Sequence, residues 1–145
     1  MVSDAAAAIA FYERALGAHE RLRMHGPDGK RILHAELQIG DSIVFVADEV
    51  PDSGGKSPTT LGGVTGGLHL YVEHTDQLFQ RAVQAGAKVV MPPTDMFWGD
   101  RYARIADPFG HEWGIATHIE DVPPAEAGRR GQEFYRRASE QAARA

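Results

Sequence analysis

The sequence predicts an α+β fold of two βαβββ units with an extra helix at the C-terminus. Three observations point to it. Residues 4–16 and Thr75–Ala85 each carry helical apolar spacing and stop at a glycine, Gly17 and Gly86. Three strand-like runs, punctuated by turn residues, follow each helix. Residues 11–18 (FYERALGA) also echo residues 79–87 (FQRAVQAGA), so the order of elements repeats.

Composition bounds the rest. The chain has 145 residues, enough for one compact domain with a core. Its formal net charge of −5 and the lack of a basic stripe argue against nucleic acid as a partner. It has no cysteine, which removes disulfides and thiolate metal sites and fits a reducing compartment. No apolar run is long enough for a membrane span, and no secretory signal pattern opens the chain. The expectation is a cytoplasmic protein.

In the first unit, Ser3 or Asp4 can cap the helix, and Ile9, Tyr12 and Leu16 form its apolar stripe. Strands are expected at 18–25, 31–39 and 42–47, joined by turns at Gly26-Pro27-Asp28-Gly29 and Gly40-Asp41. Residues 48–67 are rich in Gly, Pro, Ser and Thr and read as a long surface loop. Its glycine-rich end, 62–67, leads into a strand rather than a helix, so it is not a phosphate cradle.

The second unit opens with a strand at 67–73. Its helix carries Leu78, Phe79, Ala82 and Val83 on the apolar face, and a strand at 87–91 follows. The closing hairpin turns at Asp107-Pro108-Phe109-Gly110, where Pro presets φ and Gly accepts a positive one. Before the turn, Tyr102, Arg104 and Ala106 oppose Ala103 and Ile105. After it, Glu112, Gly114, Ala116 and His118 oppose Trp113, Ile115 and Thr117.

Comparison of the units exposes a gap. The second has a full strand before its helix, whereas the first has only Met1-Val2-Ser3. If Val2 matches Val72, counterparts of residues 68–71 are lacking. The expectation is a first strand that is largely missing, through a truncated start or an edge covered by a partner chain. After Pro123-Pro124 a helix is expected to about residue 143. Glu126/Arg130, Glu133/Arg137 and Glu140/Arg144 are spaced four apart along it. Its thin apolar stripe, Phe134, Ala138 and Ala142, suits a surface or subunit contact.

Several short motifs combine with this repeat: Ala8-Ile9-Ala10-Phe11-Tyr12, His34-Ala35-Glu36-Leu37, Leu68-His69-Leu70-Tyr71-Val72, Met91-Pro92-Pro93, Phe97-Trp98-Gly99-Asp100-Arg101-Tyr102 and Asp107-Pro108-Phe109-Gly110-His111. Together they resemble the vicinal oxygen chelate superfamily (glyoxalase, bleomycin-resistance proteins, fosfomycin-resistance enzymes and extradiol dioxygenases). The resemblance is to the PhnB-like branch. It implies a glyoxalase-like domain over residues 1–122, as modules 1–48 and 67–118 that form a pair of half-barrels, with 123–145 as an added helix. It also implies a small-molecule ligand and a homodimer, with strands exchanged between chains as one option.

In metal-dependent members each half-barrel helps surround a divalent ion (Zn, Ni, Mn or Fe) held by His, Glu or Gln. By that resemblance His69 falls on a ligand-bearing strand, while its counterpart would lie in the lacking strand. The closing-strand Glu is replaced by Gly114, and Ile43-Val44-Phe45-Val46 is apolar throughout. Most of the usual ligands are therefore absent. His34 and Glu36, on one face of a strand, are the remaining candidates for an unusual metal site.

Candidate ligand-binding residues are His69, Tyr71, Phe97, Trp98, Arg101, Tyr102, Glu112 and His118. His69 is a ligand contact, a metal ligand or a hydrogen-bonded cleft histidine. Phe97, Trp98 and Tyr102 can stack on a flat ligand while Arg101 holds an anionic group. Alternatively Phe97 and Trp98 plug a half-barrel base and Asp100–Arg101 is a structural ion pair. Glu112 and His118 end a cavity wall floored by Gly114 and Ala116, or are solvated strand ends. His111 reads as a turn residue, and no catalytic residue is assigned.

Three functions follow from these residues. The first is a protein that binds a small planar or oxygen-rich molecule, for drug or metabolite sequestration. The second is a divalent-metal lyase, isomerase or dioxygenase using His69. The third is a degenerate subunit that needs a full-length paralogue.

Overall fold

The computed structural model describes residues 1–51 and 54–144. Asp52 and Ser53, within the expected loop, and Ala145, at the end of the expected terminal helix, lie outside the described residues.

In the first unit, α1 (Ala5–Leu16) precedes the antiparallel sheet β1 (His19–His25), β2 (Ile32–Ile39), β3 (Ser42–Val46). The Asp4 carboxylate accepts from the Ala7 amide at the helix start, and Gly17 closes the helix at φ 67°. The expected stripe is buried, together with Ala5, Ala8, Phe11 and Ala15.

The second unit contains β4 (Gly67–Tyr71), α3 (Thr75–Ala85), β5 (Lys88–Asp95), β6 (Asp100–Ala106) and β7 (Glu112–His118). Its strands run in the order β4-β7-β6-β5, with β4 parallel to β7. Both sheets are open. α1 packs on α3, and one core of Phe11, Tyr12, Leu37, Ile105, Trp113 and Ile115 joins the units.

The repeat is visible in the hydrogen bonds. Val72 donates to the Ala116 carbonyl, and Val2 donates to the Ala47 carbonyl in the same way. The Ala5 amide donates to Asp48, as the Thr75 amide donates to Thr117. Val2 thus matches Val72, and a single parallel bridge to Asp48 stands where the second unit has β4.

Two sequence expectations are corrected. The stretch at 48–67 holds a short helix, α2 (Pro58–Leu61), capped by the Ser57 hydroxyl and started by a proline at N1. β5 does not stop at Met91 but continues through Pro92-Pro93 to Asp95, with register shifts around that pair. It can do so because β5 is an edge strand, where proline's lost donor breaks no ladder.

The terminal helix α4 (Pro124–Ala142) docks on the turn between β5 and β6. The Phe97 ring fits against Gly131 and lies 5.5 Å from Phe134. Arg130 bridges Glu120 and Glu126, and Arg137 pairs with Glu133. Glu140 takes Arg136 rather than the expected Arg144.

Candidate functional site

The alternation along β4, β6 and β7 sends one set of side chains to the core and the other to an open face. Ala103, Ile105, Trp113 and Ile115 go inward and are fully buried or nearly so. His69, Tyr102, Arg104, Glu112 and Gly114 line a cleft of about 390 Å³ on the opposite face. The 64–67 segment closes one side of it. This volume is in the range of small-molecule sites.

Register places three of these residues in one row. His69 on β4 faces Gly114 on β7, which faces Arg104 on β6. A Cβ built on Gly114 would lie 2.9 Å from His69 Nδ1 and 2.9 Å from the Tyr102 hydroxyl oxygen. Glycine here is what lets the two rings lie down over the strand. They are nearly parallel, 13° apart, with centroids at 5.6 Å. Among the described residues, neither the His69 ring nitrogens nor the Tyr102 hydroxyl has a hydrogen-bond partner. Arg104 Nη2 bonds to Glu112.

One end of the face is organised by Asp100, which is 3 % exposed. Its carboxylate accepts from the Tyr71 hydroxyl (2.9 Å), from Trp98 Nε1 (2.9 Å) and from His118 Nδ1 (3.1 Å). Burial pushes the Asp100 carboxyl up, but these donors outweigh it and hold it below the usual range. His118 Nε2 also meets Asp121 at 2.8 Å. Hydrogen bonds from the imidazole to Asp121 and Asp100 raise its pKa, since both acceptors favour the doubly protonated ring. Trp98 and Tyr71 are thereby fixed beside Tyr102 and His69.

The other candidates lie elsewhere. Arg101 points to the α3 side, where it forms a fork on Asp76 and also pairs with Asp95. The Asp100–Arg101 ion pair is not formed: each residue has other partners. Phe97 serves α4 rather than the cleft. Glu112 meets Arg104 and His118 meets Asp100, and both side chains are also open to solvent. His34 and Glu36 lie on β2, in the other sheet, 3.5 Å apart with Phe45 against the His34 ring.

Arg104 was not selected from the sequence, although the alternation that pairs it with Tyr102 was an available signal. Asp100 stood in the sequence cluster with Phe97, Trp98, Arg101 and Tyr102, but its bonds to Tyr71 and His118 join it to separate stretches. A larger groove, about 670 Å³, runs between α4 and residues 95–97. Its arginines Arg129 and Arg130 are held by Glu126 and Glu120 on the same surface.

This architecture and the open face of its second sheet define a class. Residues 1–115 match the family model of the Glyoxalase/Bleomycin resistance protein/Dioxygenase superfamily, and the chain belongs to that superfamily. It is 49% identical over 125 residues to the uncharacterized protein Mb0911c of Mycobacterium bovis, covering 84% of this chain and 82% of that one. An uncharacterized Mycobacterium tuberculosis protein, Rv0887c, is also 49% identical, with 73% of its length covered. The crystal structure of TioX from Micromonospora sp. ML1 superposes with a TM-score of 0.62 at 28% identity, covering 83% of this chain and 93% of that one. A gene product from Arabidopsis thaliana superposes with a TM-score of 0.59 at 26% identity, covering 79% and 88%.

The superfamily often uses divalent metals. The donors here do not fit one. Among the described residues no group of three His, Cys, Asp or Glu side chains converges on a point. Among the described residues Glu112 is the one carboxylate on the cleft wall with His69, and Arg104 already holds it. A metal site needs at least three protein groups. Among the described residues no helix is long and apolar enough to cross a membrane.

Proposed function

We propose that the protein binds a small flat molecule in the cleft of the second sheet and holds it without breaking bonds. The observation that carries this reading is the pair of rings over Gly114. His69 and Tyr102 offer a nearly parallel aromatic surface with unpartnered polar atoms at its edge. These atoms are open to solvent, so a ligand can reach them without displacing an internal partner. Tyr71 and Trp98 extend the surface, locked in place through Asp100.

The same reading takes the chain as a homodimer. The open face of the first sheet exposes Phe45 (65 %) and Ile43 on β3 and Met24 (54 %) and Leu22 on β1, on either side of the β2 row His34, Glu36 and Gln38. Large apolar side chains left exposed on a sheet face suit a protein contact.

The test is a fluorescence screen of flat aromatic compounds, read through Trp98 near the cleft. Compounds that bind the wild type with micromolar affinity and lose at least about tenfold with Tyr102→Ala would support the reading. A hit whose affinity is unchanged by both Tyr102→Ala and His69→Ala would contradict it.

A further inference from the structure

The cleft holds a cation, and that cation belongs to the protein. Arg104 stands in the same row as His69 and Gly114, directly opposite Gly114 across the β6–β7 ladder. Gly114 supplies no side chain to an ion, and a side chain there would collide with both rings. A guanidinium stays protonated at any working pH. A divalent ion placed over this row would find His69 and a Glu112 carboxylate already paired with Arg104, a pair without net charge. The free hydrogen-bond donors of the row suit an acceptor-rich ligand rather than a metal ion.

Glu112 sits next to Gly114's row on β7, and its carboxylate accepts from Arg104 Nη2. Among the described residues Arg104 Nε and Nη1 have no partner, so the fork can take a second carboxylate oxygen. The Tyr102 hydroxyl and the His69 ring nitrogens supply further hydrogen bonds along the same row.

Resting on the cleft reading above, we propose that Arg104 takes the place of a metal ion in this cleft and that the ligand is a flat organic acid. Its carboxylate meets the Arg104 guanidinium while its ring lies on His69 and Tyr102. A neutral flat compound makes the ring contact without the charge-assisted bond. The acid is thus preferred over its own amide.

The experiment is isothermal titration of the purified, tag-free chain with salicylate and with salicylamide at one fixed ionic strength. Each is repeated on Arg104→Gln, with circular dichroism to show that the variant is folded. Zinc chloride is titrated into the wild type alongside. The expected result is salicylate binding about tenfold or more tighter than salicylamide, as one charge-assisted hydrogen bond provides. Arg104→Gln brings the two to equal affinity, and zinc shows no stoichiometric binding. Equal affinity of both compounds for the wild type overturns the inference while leaving the cleft reading in place. Failure of both compounds to bind overturns the inference and counts against the cleft reading as well. One zinc ion per chain, lost in His69→Ala, overturns it too.

Discussion

The two sheets carry different chemistry at matching positions. In the first, β2 and β3 set Glu36 opposite Phe45. In the second, β6 and β7 set Arg104 opposite Gly114. The backbone equivalence is fixed by the shared hydrogen bonds of Val2 with Ala47 and of Val72 with Ala116. One scaffold therefore presents a bulky apolar ring on one face and an open, polar floor on the other. The inward positions remain alike: Ala35 and Ala103 are fully buried, as are Leu37 and Ile105. A repeated fold constrains its core and leaves its open faces free to diverge.

The largest expected effect comes from severing the joint between the units. Asp107 accepts from Tyr12 Oη (2.7 Å), Trp113 Nε1 (2.9 Å) and the amides of Phe109 and His111. Tyr12 comes from the first unit, and burial with the facing carboxylate pushes its hydroxyl pKa well up, so the phenol stays a donor. Asp107→Ala strands several buried donors and is expected to cost about 3 kcal/mol or more in a urea unfolding titration. A loss below about 1 kcal/mol would mean that the units are held by apolar packing alone.

Next comes an exchange between the faces. Gly114→Val pushes a branched side chain into the space of His69 and Tyr102. Affinity for any cleft ligand should fall at least about tenfold by titration. Phe45→Val, at the matching position, should leave that affinity alone within one chain. If both variants lose binding equally, the two faces form one composite site.

Phe45→Ser sharpens the other half of the comparison. The ring is exposed in one chain, so folding stability should change by no more than about 0.5 kcal/mol. Light scattering should instead show a dimer shifted towards monomer. A variant as dimeric as the wild type would move the contact to another surface.

The smallest effect concerns His118. Its folded pKa is raised by Asp121 and Asp100, so its contribution to stability is fully present below the usual imidazole value. That contribution is lost as pH rises through the folded value. Wild-type stability should therefore decline from the ordinary imidazole range upward, and His118→Gln should flatten that decline. Parallel pH profiles for the two proteins would show that the imidazole carries no linkage.

Much of this was readable in the chain. Glycine stops at Gly17 and Gly86, the Asp107–Gly110 turn and the alternation on β6 and β7 all report local backbone preferences, and they placed the elements. β5 escaped because two prolines mimic a strand end, and only its position at the sheet edge permits them. α2 escaped because four residues are too few to show a period.

The site was legible in part. His69, Tyr102 and Glu112 line the cleft, and their strand alternation announced a common face. Arg101 was the more conspicuous arginine, beside Trp98 and Asp100 in sequence. Alternation sends neighbours to opposite faces, so Arg101 meets Asp76 on α3 while Arg104, two positions beyond Tyr102, shares its face. The Asp100 hub joins its near neighbour Trp98 to Tyr71 and His118 on other strands, and contacts between distant stretches leave no local signature.

The most direct test of the account is a map of amide shifts in nitrogen-15-labelled protein during a salicylate titration. The account predicts saturable shifts in β4, β6 and β7, centred on His69, Arg104 and Gly114, with β1 and β2 quiet. Shifts centred on Glu36 and Phe45, or in the groove beneath α4, would contradict it.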